Sequence, residues 1–387
     1  MKKLTFLIIA GDPSGDLAAA DLVKSLQRHC KPHGVNFIGA GGPAMKLAGV
    51  DLIGDLTQYS VIGIDILRRL RELHSAYDKL LQLALRETPD FIVGVDYAGF
   101  NLRFAKAIRQ LTFRNSGPFH NWRPRIVQYI SPQVWASRPG RSKQMESTHD
   151  LLLSILPFEV AWYNSHAPRL NVQFVGHPLV DRQFQSRDYR DDQPTNSVSK
   201  PLLLLLPGSR SSELKRHLPV MIPAARQIRD RSGAQILMVL PRQDLLVMAT
   251  PHLNDFPEIQ VQIGGLGEAL TRATVAMAST GTVTLECAWF GVPTVTLYKT
   301  SSLTYQIARR IITVSHLAMP NLLAGKTLMP ELIQDYATPE SLCAATLELL
   351  EKPTLRDQIR QELRNIASSL GKPGTSDRAA AAILKTL

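Results

Sequence analysis

The chain has 387 residues, 44% of them apolar and 20% charged, the composition of an ordinary globular protein and more chain than one hydrophobic core usually supports. A formal charge of +11 favours an anionic partner: nucleic acid, an acidic membrane surface or a phosphorylated substrate. Cys30, Cys287 and Cys343 are far apart and outside any C-x-x-C spacing, which argues against a disulfide framework or a zinc site and fits a reducing cytoplasm.

The first apolar run, Leu4 to Ala10, imitates a signal peptide, but Asp12 and Asp16 stand where an export signal stays uncharged. It reads as a strand, followed by the loop Ala10-Gly-Asp-Pro-Ser-Gly-Asp16 and a helix. That loop is not a G-x-G-x-x-G fingerprint, so Asp12, Ser14 and Gly15 suit a substrate loop better than a cofactor loop; a simple turn with a helix cap fits the same residues. A strand at Val35 to Gly39 comes next. Ser60 to Arg71 then mixes Ile62, Ile64, Leu67, Arg68 and Arg69, a pattern suited to a membrane interface or to acyl chains, although an amphipathic core helix reads the same and is what the segment alone favours.

Phe91 to Asp96 is an apolar strand ending in a carboxylate, placed either to accept a hydroxyl proton as general base or to cap a turn. Asn101 follows, able to orient a substrate hydroxyl or to close that turn. From Arg103 to Glu146 nine basic residues face one acid. No zinc-finger, basic-region or RNA-binding aromatic signature accompanies them, so a nucleic-acid partner is not expected. Arg125 to Ile130, Leu151 to Ile155 and Gln173 to Val175 complete a first strand series. No histidine pair has a workable metal spacing, because Pro32 interrupts His29 and His33.

Arg187 to Ser197 is polar and reads as a linker. Leu202 to Leu206 is a five-leucine strand that breaks at Pro207-Gly208 and delivers Ser209 and Arg210, an arrangement for a diphosphate or an ordinary turn with a solvated arginine. Strands follow at Gln235 to Leu240, Ile259 to Ile263, Thr274 to Ala278 and Thr294 to Tyr298. After the fourth of this second series, Gly281 and Thr282 open a helix whose free N–H groups can bind phosphate. Glu286 lies about a turn further in, within reach of ribose hydroxyls or simply solvated. The alternation predicts an α/β fold of two Rossmann-like domains facing a central cleft: residues 1–185, a linker at 186–200, and residues 201–387 including C-terminal helices, the last capped by Ser376 or Asp377. No apolar run approaches the ~20 residues that span a bilayer, so any membrane contact is peripheral.

In this order the segments Ala10 to Asp16, Gly39-Ala-Gly-Gly-Pro43, Gly94 to Asn101, Tyr129-Ile-Ser-Pro-Gln-Val-Trp-Ala136, Leu156-Pro-Phe-Glu159, Val175-Gly-His-Pro178, Leu206 to Arg210, Gly281 to Glu286, Pro320 to Gly325 and Pro330-Glu-Leu-Ile-Gln334 resemble the lipid-A-disaccharide synthase family of GT-B glycosyltransferases. The resemblance implies inverting transfer of 2,3-diacylglucosamine from its UDP form to the 6-hydroxyl of 2,3-diacylglucosamine 1-phosphate, at the cytoplasmic face of an anionic inner membrane, with no metal and no other cofactor. It assigns Asp96 as base, Arg210 with Gly281 and Thr282 to the diphosphate, Glu286 to ribose, and Asn321 with Gln334 to the donor. The family also forms homodimers. Asp12, Gly99, Ser137 and Thr280 depart from its usual pattern. The competing readings are another UDP-sugar transferase acting on a lipid-linked envelope precursor and a non-catalytic UDP-sugar-binding protein.

Overall fold

The computed structural model describes residues 3–32, 34–60, 66–117, 119–185, 200–254 and 256–387. The chain forms two compact units, Met1–Asp181 with Leu370–Leu387, and Arg182–Ser369.

The first unit runs through β1 (Leu4–Ala10), α1 (Pro13–His29), β2 (Val35–Gly41), α2 (Pro43–Leu47), β3 (Asp51–Asp55), α3 (Ile66–Glu87), β4 (Phe91–Val95), α4 (Ala98–Arg114), β5 (Arg125–Tyr129), α5 (Arg141–Thr148), β6 (Leu151–Ser154), α6 (Glu159–His166), β7 (Val172–Phe174) and α7 (Pro178–Gln185). Its seven strands are parallel in the order β3-β2-β1-β4-β5-β6-β7. The period of two explains why β1 carries no polar face. Phe6, Ile8 and Ala10 enter one core with Ala19, Leu22 and Leu26 of α1, while Leu7 and Ile9 enter another with Leu80 of α3 and Phe104 and Ile108 of α4. Chain direction across the sheet reverses between β1 and β4, so the loops after these two strands flank a crevice at their carboxyl ends.

The second unit contains β8 (Leu202–Leu206), α8 (Ser211–Ser232), β9 (Gln235–Leu240), α9 (Gln243–Leu253), β10 (Gln260–Ile263), α10 (Leu266–Arg272), β11 (Val275–Ser279), α11 (Thr282–Trp289), β12 (Thr294–Tyr298), α12 (Ser302–Ile311), α13 (Met319–Ala324), β13 (Glu331–Ile333), α14 (Pro339–Glu351) and α15 (Pro353–Ser369). Six parallel strands order as β10-β9-β8-β11-β12-β13, with the reversal between β8 and β11. All five leucines of β8 are buried, each worth about 1.5–3 kcal/mol when fully withdrawn from water.

The last helix, α16 (Thr375–Leu384), corrects the expected domain boundary at residue 387. Ala379, Ala380, Ala382 and Ile383 pack with Ala18, Ala19, Leu22 and Val23 of α1, so this helix completes the core of the first unit. Its expected cap is also corrected. Neither Ser376 nor Asp377 caps it; Asp181 accepts from the N–H groups of Gly374, Thr375 and Ser376 at 2.7, 3.2 and 3.3 Å, and Asp377 instead bonds Ser25 and Arg28. His177, in the same first unit, donates its N–H to the Leu370 carbonyl at 2.9 Å. The two units divide inside α7, ahead of the expected linker, of which residues 186–199 lie outside the described residues.

Ile62 and Ile64 also lie outside the described residues, while Leu67, Arg68 and Arg69 fall on the first turn of α3. Among the described residues no helix is long and apolar enough to cross a membrane.

Candidate active site

In the first unit the chain leaves β4 through two consecutive left-handed residues, Asp96 (φ 49°) and Tyr97 (φ 44°). Each such non-glycine residue costs on the order of 1–3 kcal/mol and persists only where its surroundings fix it. They do so here. The Asp96 N–H donates to the Tyr129 carbonyl at 2.9 Å, and the Asp96 carbonyl accepts from the side-chain amides of Asn101 at 2.8 Å and Gln128 at 2.9 Å. Gly94 makes room for those amides, since a Cβ there would meet both at 2.8 Å. Gly11 likewise lies under the Tyr97 ring, where a Cβ would come within 2.2 Å. Asn101 is 3% exposed; its amide braces the Asp96 carbonyl and closes the turn, while its Oδ1 accepts no hydrogen bond from the described residues.

Asp12 caps α1, accepting from the Gly15 N–H at 2.6 Å and the Ser14 hydroxyl at 3.0 Å. Asp16 is buried and accepts from the N–H groups of Gly42, Ala44 and Met45, holding the start of α2. The two loops pack together here: a Cβ at Gly15 would stand 3.0 Å from Asp12 Oδ1 and in ordinary contact, 3.5 Å, with the Cβ of Asp96. Burial, and then the negative charge of Asp12, push the Asp96 carboxyl up to about 6, against the Tyr97 N–H, which favours the ionised form. A carboxylate so tuned is still mostly ionised at neutral pH and is a stronger base than an exposed aspartate.

The second unit carries a cavity of about 510 Å³ at its own switch point. Leu206, Gly208, Ser209 and Arg210 line it from the end of β8, Gly264 and Gly265 from the end of β10, and Ser279 to Val283 with Glu286 from the end of β11. Gly281 (φ 151°) has open space where a Cβ would stand, so a ligand can approach the backbone at the start of α11. Glu286 is partly buried and accepts no hydrogen bond from the described residues; burial raises its carboxyl and Arg182 opposes that shift. It is therefore poised to accept from a ligand's hydroxyl groups.

Arg210 lies at the cavity with its guanidinium 3.0 Å from Glu213, whose other oxygen accepts from the N–H groups of Ser209 and Arg210 at 2.8 and 3.2 Å. Glu213 thus shapes the loop and competes with an incoming anion for the arginine. His217 of α8 fixes the loop through its ring. It is buried, and its ring bridges the Pro207 carbonyl at 2.7 Å and the Lys299 N–H at 3.1 Å. These partners require a neutral ring with the proton on Nδ1, and burial lowers its pKa accordingly.

Of the two expected donor contacts, that of the Asn321 side chain is corrected. Asn321 is fully buried; its amide donates to Met329 and Glu331 and its oxygen accepts from Leu328 and Met329, all at 2.7–2.8 Å. The Gln334 side chain bonds both backbone groups of Thr300. Asn321 has no capacity left for a ligand, whereas Gln334 keeps one N–H and one lone pair; neither lines the cavity. Trp135 and Glu159, from two distant motifs, meet in a buried 3.0 Å hydrogen bond that is structural.

Two doubly wound units, each a parallel sheet with helices on both faces and a switch point at its strand carboxyl ends, define the GT-B class of fold. Solved structures agree. UDP-GlcNAc 2-epimerase from Neisseria meningitidis, bound to UDP-GlcNAc, is similar with a TM-score of 0.64 at 11% identity over 100% of both chains. MurG from Acinetobacter baumannii is similar with a TM-score of 0.57 at 16% identity over 99% of this chain and 100% of that one. The family model described as lipid-A-disaccharide synthetase matches residues 6–385. Lipid-A-disaccharide synthases from Syntrophus aciditrophicus and Nitrosococcus oceani are each 36% identical, over 98% and 94% of this chain and 97% and 92% of their own length. The chain belongs to the lipid-A-disaccharide synthase family and is a glycosyltransferase.

Proposed function

We propose that the chain transfers 2,3-diacylglucosamine from UDP to the 6-hydroxyl of 2,3-diacylglucosamine 1-phosphate with inversion. Asp96 takes the hydroxyl proton as the oxygen bonds to the donor's anomeric carbon, and the bond to UDP breaks on the opposite face. Arg210 and the N–H groups at the start of α11 receive the diphosphate charge, and Glu286 accepts from the ribose hydroxyls. The observation that carries this reading is Asp96 at the end of β4, its left-handed backbone braced by two buried amides and its carboxyl pushed up to about 6 by burial and Asp12.

The reading needs no cofactor, because protein donors meet the leaving-group charge. Incubation of the purified chain with both diacylated sugars in excess EDTA should yield, by mass, a tetraacylated disaccharide phosphate and UDP. UDP release without that product would point to a different acceptor, and neither product to a binding protein.

The acyl chains place the substrates at a membrane, and α12 supports attachment there. None of its residues is buried, Leu303 and Ile307 are 73% and 51% exposed, and Arg309 and Arg310 close it. An apolar stripe beside paired arginines matches an anionic lipid surface. Arg309→Glu with Arg310→Glu should reduce co-sedimentation with phosphatidylglycerol vesicles at least several-fold, and unchanged co-sedimentation would remove α12 from that role.

A further inference from the structure

Two members of the basic run from Arg103 onward are neutralised locally, and its one acid is engaged from outside. Arg109 pairs with Asp150 at 2.6 Å, Arg125 approaches the same carboxylate at 3.8 Å, and Glu146 is held by Arg169. Among the members without a carboxylate partner, Arg103, Arg138 and Arg141 are set apart because the first two act electrostatically on the third. They come together because α5 packs beside α4, with the Gln144 amide directed at the Leu102 carbonyl. Gly99, one turn before Arg103, supplies no counter-charge. Burial, then Arg138 and Arg103, lower the Arg141 guanidinium, the mark of cations gathered without an anion.

Arg103 also lines a second cavity of about 510 Å³ with Leu73, His74, Tyr77, Tyr97 and Phe100. Tyr97 follows Asp96 directly, so this cavity begins beside the base. Its floor is aromatic, with Tyr77 edge-on to Phe100 at 5.4 Å and Tyr97 stacked on Phe100 at 5.6 Å. One acid stands at its edge, Asp78, 3.7 Å from His74.

We propose that Arg103, Arg138 and Arg141 form the subsite for the acceptor's phosphate monoester, with the aromatic cavity beside it taking the adjoining apolar part of that molecule. This inference rests on the function proposed above and names the acceptor half of it. A dianionic monoester against three guanidinium groups forms several charge-assisted hydrogen bonds at once, and the neighbouring cavity sets the distance from phosphate to the hydroxyl that reacts at Asp96.

Glucosamine 1-phosphate is a soluble probe that separates this site from turnover. It should shift the arginine Nε–Hε NMR signals of the full chain, glucosamine should not, and Arg138→Ala with Arg141→Ala should abolish the response while the melting temperature stays within a few degrees. With the full substrates, the double variant should raise the acceptor KM at least tenfold and leave the donor KM within about twofold. Deleting the phosphate from the acceptor should impair the wild type at least tenfold more than it impairs the variant. Arg103→Ala alone should show the same pattern to a smaller degree. Equal losses with and without the acceptor phosphate, or no probe response in the wild type, would overturn the assignment. So would a variant that loses only binding to phosphatidylglycerol vesicles, which would make the cluster a lipid-surface contact. A probe response without disaccharide formation would retain the phosphate site and reject the proposed reaction.

Discussion

Asp96→Asn is expected to lower kcat by about 10²–10⁴-fold, the usual contribution of a positioned general base, while UDP affinity stays within about twofold. Asparagine is the informative substitution because it tolerates the left-handed conformation at φ 49°, whereas alanine would add backbone strain to the loss of the carboxylate. The substitution then removes the carboxylate's basicity and charge while keeping its size and backbone conformation. Steady-state kinetics with both substrates, paired with calorimetric titration of UDP, checks both halves of the expectation. Turnover within tenfold of the wild type would take Asp96 out of the reaction. An equal loss of UDP affinity would show that the substitution had damaged more than the base.

Arg210→Ala should weaken UDP binding by about 10–100-fold, the effect of removing hydrogen bonds to a charged group worth roughly 1.5–3 kcal/mol. In the unliganded loop the guanidinium is held by Glu213 at 3.0 Å and is 65% exposed, so an arriving diphosphate competes with one carboxylate for a cation already positioned at the cavity. Arg210→Lys should recover only part of the loss, because an ammonium cannot present the paired donors of a guanidinium. Unchanged UDP affinity in Arg210→Ala would identify the residue as a partner of Glu213 alone.

The strands of both sheets were legible because their side chains are apolar on both faces, as in Leu202–Leu206 and Leu4–Ala10. β3 and β13 were not, being short edge strands with exposed or half-buried residues and no apolar run. The place of α16 was illegible for another reason: its partners on α1 lie some 350 positions away, and an alanine-rich helix face carries no label for the core it fits. Asp96, Arg210, Gly281 and Glu286 were legible through their placement after buried strands. Asn321 misled because a polar loop residue can serve a ligand or its own loop, and only its hydrogen-bond partners decide. Asn101 was half legible, with closing the turn as one of its two readings, and the two amides bracing Asp96 explain why that one holds. The free arginines could not be told from Arg109 and Arg125, which pair with an aspartate outside the run.

The dependence of kcat/KM on pH tests the central claim most directly, because it reports the free enzyme's essential groups. A base must be ionised to accept the proton, so activity should fall with unit slope as pH drops through about 6, where burial and Asp12 place the Asp96 carboxyl. The residual activity of Asp96→Asn should lack that limb. A flat profile from pH 4.5 to 8, or an acid limb near 6 that survives in Asp96→Asn, would contradict the assignment of Asp96 as the base.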